Sequence, residues 1–166
     1  MTNDKLFDIL KQAILMEKRG HSFYSTVAGQ TKDPEIKRIF QTMADEETTH
    51  VKILSEQFIH LKNVHSFENL ELPDIPDMLS GMILSGEVKK NISSAGYEAA
   101  AISAAIDMEK RAIEVYGNQA GQTTDPAEKK LFNWLSDWEK GHLKILSDLD
   151  NELKEKIWFD NQFWPF

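Results

Sequence analysis

Apolar residues recur every three or four positions along four long stretches of the chain, which is the spacing of one face of an α-helix. In the second stretch, for example, Ile36, Phe40, Met43 and Leu54 fall on a single face. Narrow apolar stripes of this kind are typical of helices packed nearly parallel or antiparallel in a bundle. The pattern predicts four helices with approximate bounds 3–29, 34–62, 95–121 and 126–155.

The chain contains an internal duplication. Residues 13–55 align without a gap to residues 105–147, 92 positions later, and 22 of the 43 aligned residues are identical. Two copies predict two similar helical hairpins related by approximate twofold symmetry. Each copy carries the same turn signal, a glycine followed by Asp-Pro. Since glycine is favoured after a helix, aspartate as an N-cap and proline at the first helical position, each hairpin is predicted to turn there, at Gly29 with Asp33-Pro34 and at Gly121 with Asp125-Pro126.

The segment between the two hairpins is too long to join neighbouring antiparallel helices directly. Its length suits a connection that runs along the whole bundle. The chain is therefore predicted to be all-α, an antiparallel four-helix bundle with one long crossover connection, in a single domain over residues 1–166. Its parts are a first hairpin at 3–62, the crossover at 63–94, a second hairpin at 95–155 and an aromatic C-terminal tail at 156–166. We expect this tail to fold back on the bundle, to bury itself against a second subunit or, less simply, to dock on a partner protein.

Composition narrows the classes of function. The net charge is −8, with 27 acidic against 19 basic residues, which argues against nucleic acid and anionic membranes as partners. The chain has no cysteine, so disulfides, thiolate zinc sites and iron–sulfur clusters are excluded within it. The first residues do not resemble a signal peptide, and no apolar run approaches the roughly 20 residues that span a bilayer. A cytoplasmic protein is the expectation.

Charged residues interrupt the apolar stripe of every predicted helix at one level. Glu17 and Glu47 are 30 residues apart, as are Glu109 and Glu139, and each pair has its turn near the midpoint. Travelling about 22 Å up one helix and back down the next returns each pair to the same level. In each second helix a histidine follows the glutamate by three residues, which places both side chains on one face. The core-facing set is Glu17, Glu47, His50, Glu109, Glu139 and His142.

Four buried carboxylates cannot all stay ionised without a counter-charge. Two divalent cations would supply it, with neutral imidazoles as the remaining ligands. Oxygen ligands with one imidazole per metal favour iron or manganese, with zinc as a further option. There are two alternatives to a metal site. A single Glu-x-x-His motif usually lies on a solvent-exposed helix face, and a duplicated metal site can lose its metal. Two copies in equal register nevertheless predict that all six residues are ligands of a metal pair.

The motifs MEKRGHSFY with DEETTH, and MEKRAIEVY with DWEKGH, resemble the ferritin-like superfamily and, within it, the rubrerythrin-type di-iron carboxylate proteins. The resemblance implies iron, peroxide or dioxygen chemistry, a role in oxidative stress, and a homodimer or larger assembly. It also implies a role for each predicted ligand. Each metal would have one terminal carboxylate and one histidine of its own, and two further carboxylates would bridge the pair. The terminal carboxylates are Glu17 and Glu109, the bridging carboxylates are Glu47 and Glu139, and the histidines are His50 and His142.

Two departures from the family bear on activity. Rubrerythrins proper carry a cysteine-containing rubredoxin module, which this chain lacks, so electrons would come from a separate donor such as a rubredoxin-type protein. The family also places a further glutamate, which helps a metal move during peroxide turnover, where this chain has Ala112. The leading hypothesis is a redox enzyme that reduces peroxide or dioxygen. The alternatives are a ferroxidase or iron-storage protein, and a structural protein stabilised by metal.

Tyr24 and Tyr116 occupy equivalent positions in the two copies. The favoured interpretation is a core tyrosine with a satisfied hydroxyl; the alternative is a hydrogen bond to a ligand carboxylate, or donation of an electron or proton. His21 has no counterpart in the second copy. It is predicted to hydrogen-bond near the ligands rather than to be a spare ligand or proton relay.

Two tryptophans, Trp134 and Trp138, replace Thr42 and Glu46 of the first copy. This replacement is interpreted as a difference in packing outside the site.

Overall fold

The computed structural model describes residues 3–76 and 96–160 of the 166-residue chain. These residues form four helices, each within five residues of its predicted bounds, and the described part of the chain has no strand. The helices are α1 (Asn3–Gln30), α2 (Pro34–Val64), α3 (Tyr97–Gln122) and α4 (Pro126–Asp160).

The turns of the two hairpins are built alike. Asp33 caps α2 by accepting hydrogen bonds from two backbone N–H groups of its first turn, at 2.9 and 3.1 Å. Asp125 caps α4 in the same way, at 2.9 and 3.0 Å. These caps satisfy donors that the start of a helix leaves free, so the Asp-Pro signal is confirmed. Gly29 and Gly121 lie one residue inside the ends of α1 and α3 instead of after them.

The core consists of two apolar clusters at opposite ends of the bundle. One joins the end of α1 to the start of α2 and of α3 and to the end of α4, through residues such as Val27, Ile36, Ala101 and Leu153. The other joins the opposite ends of the same helices, through residues such as Leu10, Leu61, Ala120 and Leu131. Each hairpin is therefore antiparallel, and an all-α four-helix bundle made of two hairpins is confirmed.

The end of α2 and the start of α3 lie at opposite ends of the bundle. Val64 ends α2 near one apolar cluster, whereas α3 begins at Tyr97 near the other. The described part of this connection lies against α4, where the Lys130 ammonium donates to the Leu70 carbonyl at 2.8 Å and the Trp134 indole to the Pro73 carbonyl at 2.8 Å.

Some predictions reach beyond the described residues. Most of the predicted crossover, from residue 77 onward, lies outside them, as do residues 161–166 of the predicted tail. The tail's first residues, 156–160, continue α4. The assignment of residues 1–166 to a single domain stays a prediction. No helix in the described ranges is long and apolar enough to cross a membrane.

Candidate metal centre

The six residues predicted as metal ligands meet in a polar layer between the two apolar clusters, and each is at most 3 % exposed. They form two overlapping groups, within each of which one ligand atom from every residue lies within 4.8 Å of the others. We call these groups the His50 position and the His142 position. Glu47 and Glu139 belong to both, which is the arrangement expected of bridging carboxylates. The His50 position is Glu17, Glu47, His50 and Glu139, and the His142 position is Glu47, Glu109, Glu139 and His142.

The ring nitrogen Nδ1 of each histidine faces the carboxylates. At the His50 position, Nδ1 lies 3.1, 3.2 and 3.3 Å from oxygens of Glu17, Glu139 and Glu47. At the His142 position, Nδ1 lies 2.9 Å from Glu139, with oxygens of the other two carboxylates at 3.4 and 3.7 Å. Each Nδ1 is thus directed at the point where a cation held by the carboxylates of its own group would be coordinated.

The donor set fits a pair of divalent cations. Both carboxylate oxygens of Glu139 and Nδ1 of His142 are buried without a hydrogen-bond partner, although buried polar groups are nearly always paired. Within the described part of the chain, the ion pairs of the four carboxylates are formed with His50 and His142 rather than with lysine or arginine. Cations would satisfy these orphaned atoms and the clustered charge together.

Protons compensate part of this charge in the metal-free protein. Burial, with the charges of Glu139 and Glu17, raises the pKa of Glu47 well above its usual range. Burial and Glu139 raise the pKa of Glu109 to about 7. Burial alone would lower the pKa of each histidine, but the surrounding carboxylates outweigh it and raise both. Burial alone would likewise raise the pKa of Glu139, but the positive charges of the protonated His142 and His50 hold it well below its usual range.

Two buried tyrosines connect the hairpins through this layer. The Tyr24 hydroxyl, on α1, donates a hydrogen bond to Oε1 of Glu109 on α3. The Tyr116 hydroxyl, on α3, donates to Oε1 of Glu17 on α1. The favoured interpretation and the predicted hydrogen bond to a ligand carboxylate therefore both apply, because each tyrosine is a core residue whose hydroxyl donates to a predicted ligand. Donation of an electron or proton stays a prediction. Burial and the charge of Glu109 raise the pKa of Tyr24 well above its usual value, so its hydroxyl keeps its proton.

His21, one turn along α1 from Glu17, belongs to neither metal position. Its Nδ1 donates to the backbone carbonyl of Ala44 at 2.8 Å, and Thr48 Oγ1 lies 3.2 Å from the same nitrogen. The structure thus favours the predicted hydrogen-bonding role over that of a spare ligand.

The interpretation of the two tryptophans as packing outside the site is wrong. The rings of Trp134 and Trp138 lie nearly perpendicular to the His50 ring, with centroid distances of 5.5 and 4.9 Å. The Trp138 indole also donates to Oε2 of Glu46 at 2.9 Å, and the same oxygen lies 2.7 Å from Nε2 of His142. Sequence reasoning missed Glu46 as a residue of the site. The available signal was its place next to Glu47, at a position where the two copies differ.

A cavity of about 410 Å³ opens between α1 and α3 onto the four carboxylates. Gly20 keeps it open on the α1 side, because a Cβ there would lie 3.2 Å from the Glu47 carboxylate. No pattern in the sequence indicates such a pocket. Its remaining lining is two methionines, two aromatic residues, an alanine and two arginines, namely Met16, Arg19, Phe23, Tyr24, Met108, Arg111 and Ala112.

A four-helix bundle with a buried layer of carboxylates and histidines is typical of the metal-binding carboxylate bundles. A protein-family model described as Rubrerythrin matches residues 8–150. The chain therefore belongs to the rubrerythrin family and is a ferritin-like bundle. It has no cysteine, and its described residues contain no strand, in agreement with the predicted lack of a rubredoxin module. No curated protein and no solved structure gives a match.

Proposed function

We propose that this chain is a di-iron oxidoreductase that reduces hydrogen peroxide, with electrons supplied by a separate protein such as a rubredoxin-type donor. The observation that carries the proposal is the pair of overlapping four-residue groups that share Glu47 and Glu139. Two ions held side by side by shared carboxylates are suited to a two-electron reaction. A homodimer and a cytoplasmic location stay predictions.

When bound, two ferrous ions supply one electron each, which balances the cleavage of the O–O bond in H₂O₂ + 2 H⁺ + 2 e⁻ → 2 H₂O. The protein's own groups hold the protons close to this reaction. The hydroxyls of Tyr24 and Tyr116 point at Glu109 and Glu17 from opposite ends of the layer. Each tyrosine orients its carboxylate and keeps a proton beside it, because its hydroxyl donates a hydrogen bond to that carboxylate.

The cavity between α1 and α3 supports a small oxidant as the substrate. It provides a route from solvent to the carboxylates, and its walls are largely apolar side chains such as Met16 and Met108. Arg19 and Arg111, equivalent residues of the two copies, also line it. Their positive charge opposes repeated entry of free ferrous ions and leaves a neutral peroxide or dioxygen molecule unaffected. This is the reason to place peroxide reduction before iron storage.

The test is stopped-flow mixing of the anaerobic, ferrous-loaded protein with one equivalent of hydrogen peroxide. We expect both irons to be oxidised within seconds, with an optical band of a bridged ferric pair, and a faster reaction with peroxide than with dioxygen. Addition of a reduced rubredoxin should then restore the ferrous state and allow repeated turnover.

A variant of a shared ligand and a count of iron ions per chain distinguish the redox enzyme from a ferroxidase or storage protein. Glu139→Gln alters a carboxylate shared by both positions and should abolish the fast phase. Uptake of many irons per chain, with oxidation by dioxygen faster than by peroxide, would instead indicate a ferroxidase or storage protein. If the bound pair is not oxidised by either reagent, the redox proposal is wrong.

A further inference from the structure

The two metal positions have matched ligands but different surroundings. Each combines three carboxylates with one histidine through Nδ1, and two of the carboxylates are common to both. Any difference in how the positions hold a cation must therefore come largely from what lies behind the ligands. The residues behind His50 and His142 differ in kind.

The approximate twofold symmetry identifies where this difference arises. It pairs His50 with His142, and Glu46 with Trp138, since each pair is separated by 92 residues. Nε2 of His142 lies 2.7 Å from Oε2 of Glu46, which belongs to the opposite hairpin. On the other side of the symmetry axis, His50 faces the indole of Trp138, with ring centroids 4.9 Å apart. Nε2 of His50 is buried and has no hydrogen-bond partner.

An indole and a carboxylate have opposite effects on a ligating imidazole. A carboxylate that accepts the Nε2–H bond fixes the tautomer in which the Nδ1 lone pair is free, holds the ring in place and makes it a stronger electron donor to a metal. An indole has only an N–H donor and cannot accept that bond. Trp138 instead donates its N–H to Glu46 at 2.9 Å, so that this carboxylate is itself held in position.

We propose that Glu46 is a positioning residue that makes the two metal positions inequivalent, so that a divalent cation binds more tightly at the His142 position than at the His50 position. The inference rests on the metal pair of the proposed function, but it makes a separate statement about the order of filling. Loss of a hydrogen-bond partner of this kind typically weakens metal binding by about 10–100-fold, and we expect a separation of that size between the two binding steps.

The experiment is a titration of the metal-free protein with cobalt(II), followed by its visible absorption and by calorimetry. The wild-type chain should bind two ions in two resolved steps. In Glu46→Gln, which keeps the size of the side chain and loses its charge, the tighter step should weaken by about 10-fold or more, whereas the weaker step should change little. Glu56→Gln is the matched control, because Glu56 is an exposed glutamate of the same helix and belongs to neither position.

A second pair of variants assigns the steps to positions and does not depend on the folding of Glu46→Gln. His142→Ala should remove the tighter step and leave the weaker one, and His50→Ala should do the reverse. In addition, proton NMR of the wild-type protein with one cobalt equivalent should show a shifted signal from the Nε2–H of His142 that exchanges slowly with solvent. This exchange should be faster in Glu46→Gln, because the hydrogen bond to the Glu46 carboxylate is altered.

Two outcomes overturn the inference. One is a wild-type titration in which both ions bind in a single unresolved step, and the other is a tighter step that survives His142→Ala or is unchanged in Glu46→Gln. In either case two ions still bind and the proposed function is unaffected. A wild-type chain that binds no cobalt(II), manganese(II) or iron(II) at all would overturn the metal pair itself.

Discussion

Tyr24 on α1 and Glu109 on α3 stand 85 residues apart in the chain and are joined by a buried hydrogen bond. Its counterpart from the second copy joins Tyr116 to Glu17 in the opposite direction. The same two helices line the cavity that reaches the carboxylates. These two hydrogen bonds therefore connect the hairpins and orient two predicted ligands at the same time.

The first prediction concerns these hydrogen bonds. Tyr24→Phe and Tyr116→Phe should each lower the free energy of unfolding of the metal-free protein by about 1–2 kcal/mol, because each leaves a buried carboxylate oxygen without its donor. Urea unfolding measures the change. Tyr97→Phe is the control, since Tyr97 is 42 % exposed and should be close to neutral. Equal stability of all three variants would show that the hydrogen bonds contribute nothing.

The second prediction concerns Gly20. Replacing a helical glycine by alanine usually stabilises a helix, by up to about 1 kcal/mol. A Cβ on Gly20 would lie 3.2 Å from Cδ and Oε1 of Glu47, so Gly20→Ala should displace this shared carboxylate and weaken metal binding at both positions. Gly29→Ala, on the same helix with nothing within 4 Å of the added Cβ, should leave metal binding unchanged. Calorimetric titration of both variants tests this, and equal affinities would refute it.

The third prediction concerns pH. The pKa of Glu109 is about 7 in the folded, metal-free protein against 4.5 for the free side chain, and the pKa values of both histidines are raised above 6.5. The folded state therefore binds more protons than the unfolded state, and the stabilisation is present at low pH and lost as pH rises through these values. The pKa of Glu139 is shifted in the opposite direction, downward, so its contribution to the free energy of unfolding is lost only as pH falls below 4.5.

Thermal unfolding from pH 5.5 to 8 should therefore show the metal-free protein becoming less stable as pH rises. Metal binding should strengthen over the same range, because cations compete with protons for the ligands. Glu109→Gln removes one of the titrating groups and should flatten the stability profile near pH 7. A metal-free protein whose stability increases toward pH 8 would contradict the assignment of these protons.

The helices and the ligand layer could be predicted because they depend on local periodicity and on the duplication. The spacing of 30 residues between Glu17 and Glu47, repeated in the second copy, is enough to place carboxylates at one level of a hairpin. Asp33 and Asp125 determine the starts of α2 and α4 through hydrogen bonds within one turn. Such features need no knowledge of how the hairpins pack.

The surroundings of the ligands could not be predicted, because they depend on how one hairpin is rotated against the other. Glu46 is adjacent to Glu47 in the sequence, yet its carboxylate meets His142 and Trp138 of the opposite hairpin. The cavity likewise results from the separation of α1 and α3, which no periodicity within either helix specifies. The duplication marks position 46 as different from position 138, but not what each side chain contacts.

The most direct test of the central claim is a count of metal ions per chain in protein loaded with ferrous iron without oxygen and then freed of excess metal. We expect two ions in the wild-type chain, about one in Glu17→Ala, which removes a ligand from the His50 position only, and less than one in Glu139→Ala, which removes a shared ligand. Circular dichroism would verify that each variant keeps its helices. A wild-type chain that holds no iron, or a Glu139→Ala variant that still holds two ions, would contradict it.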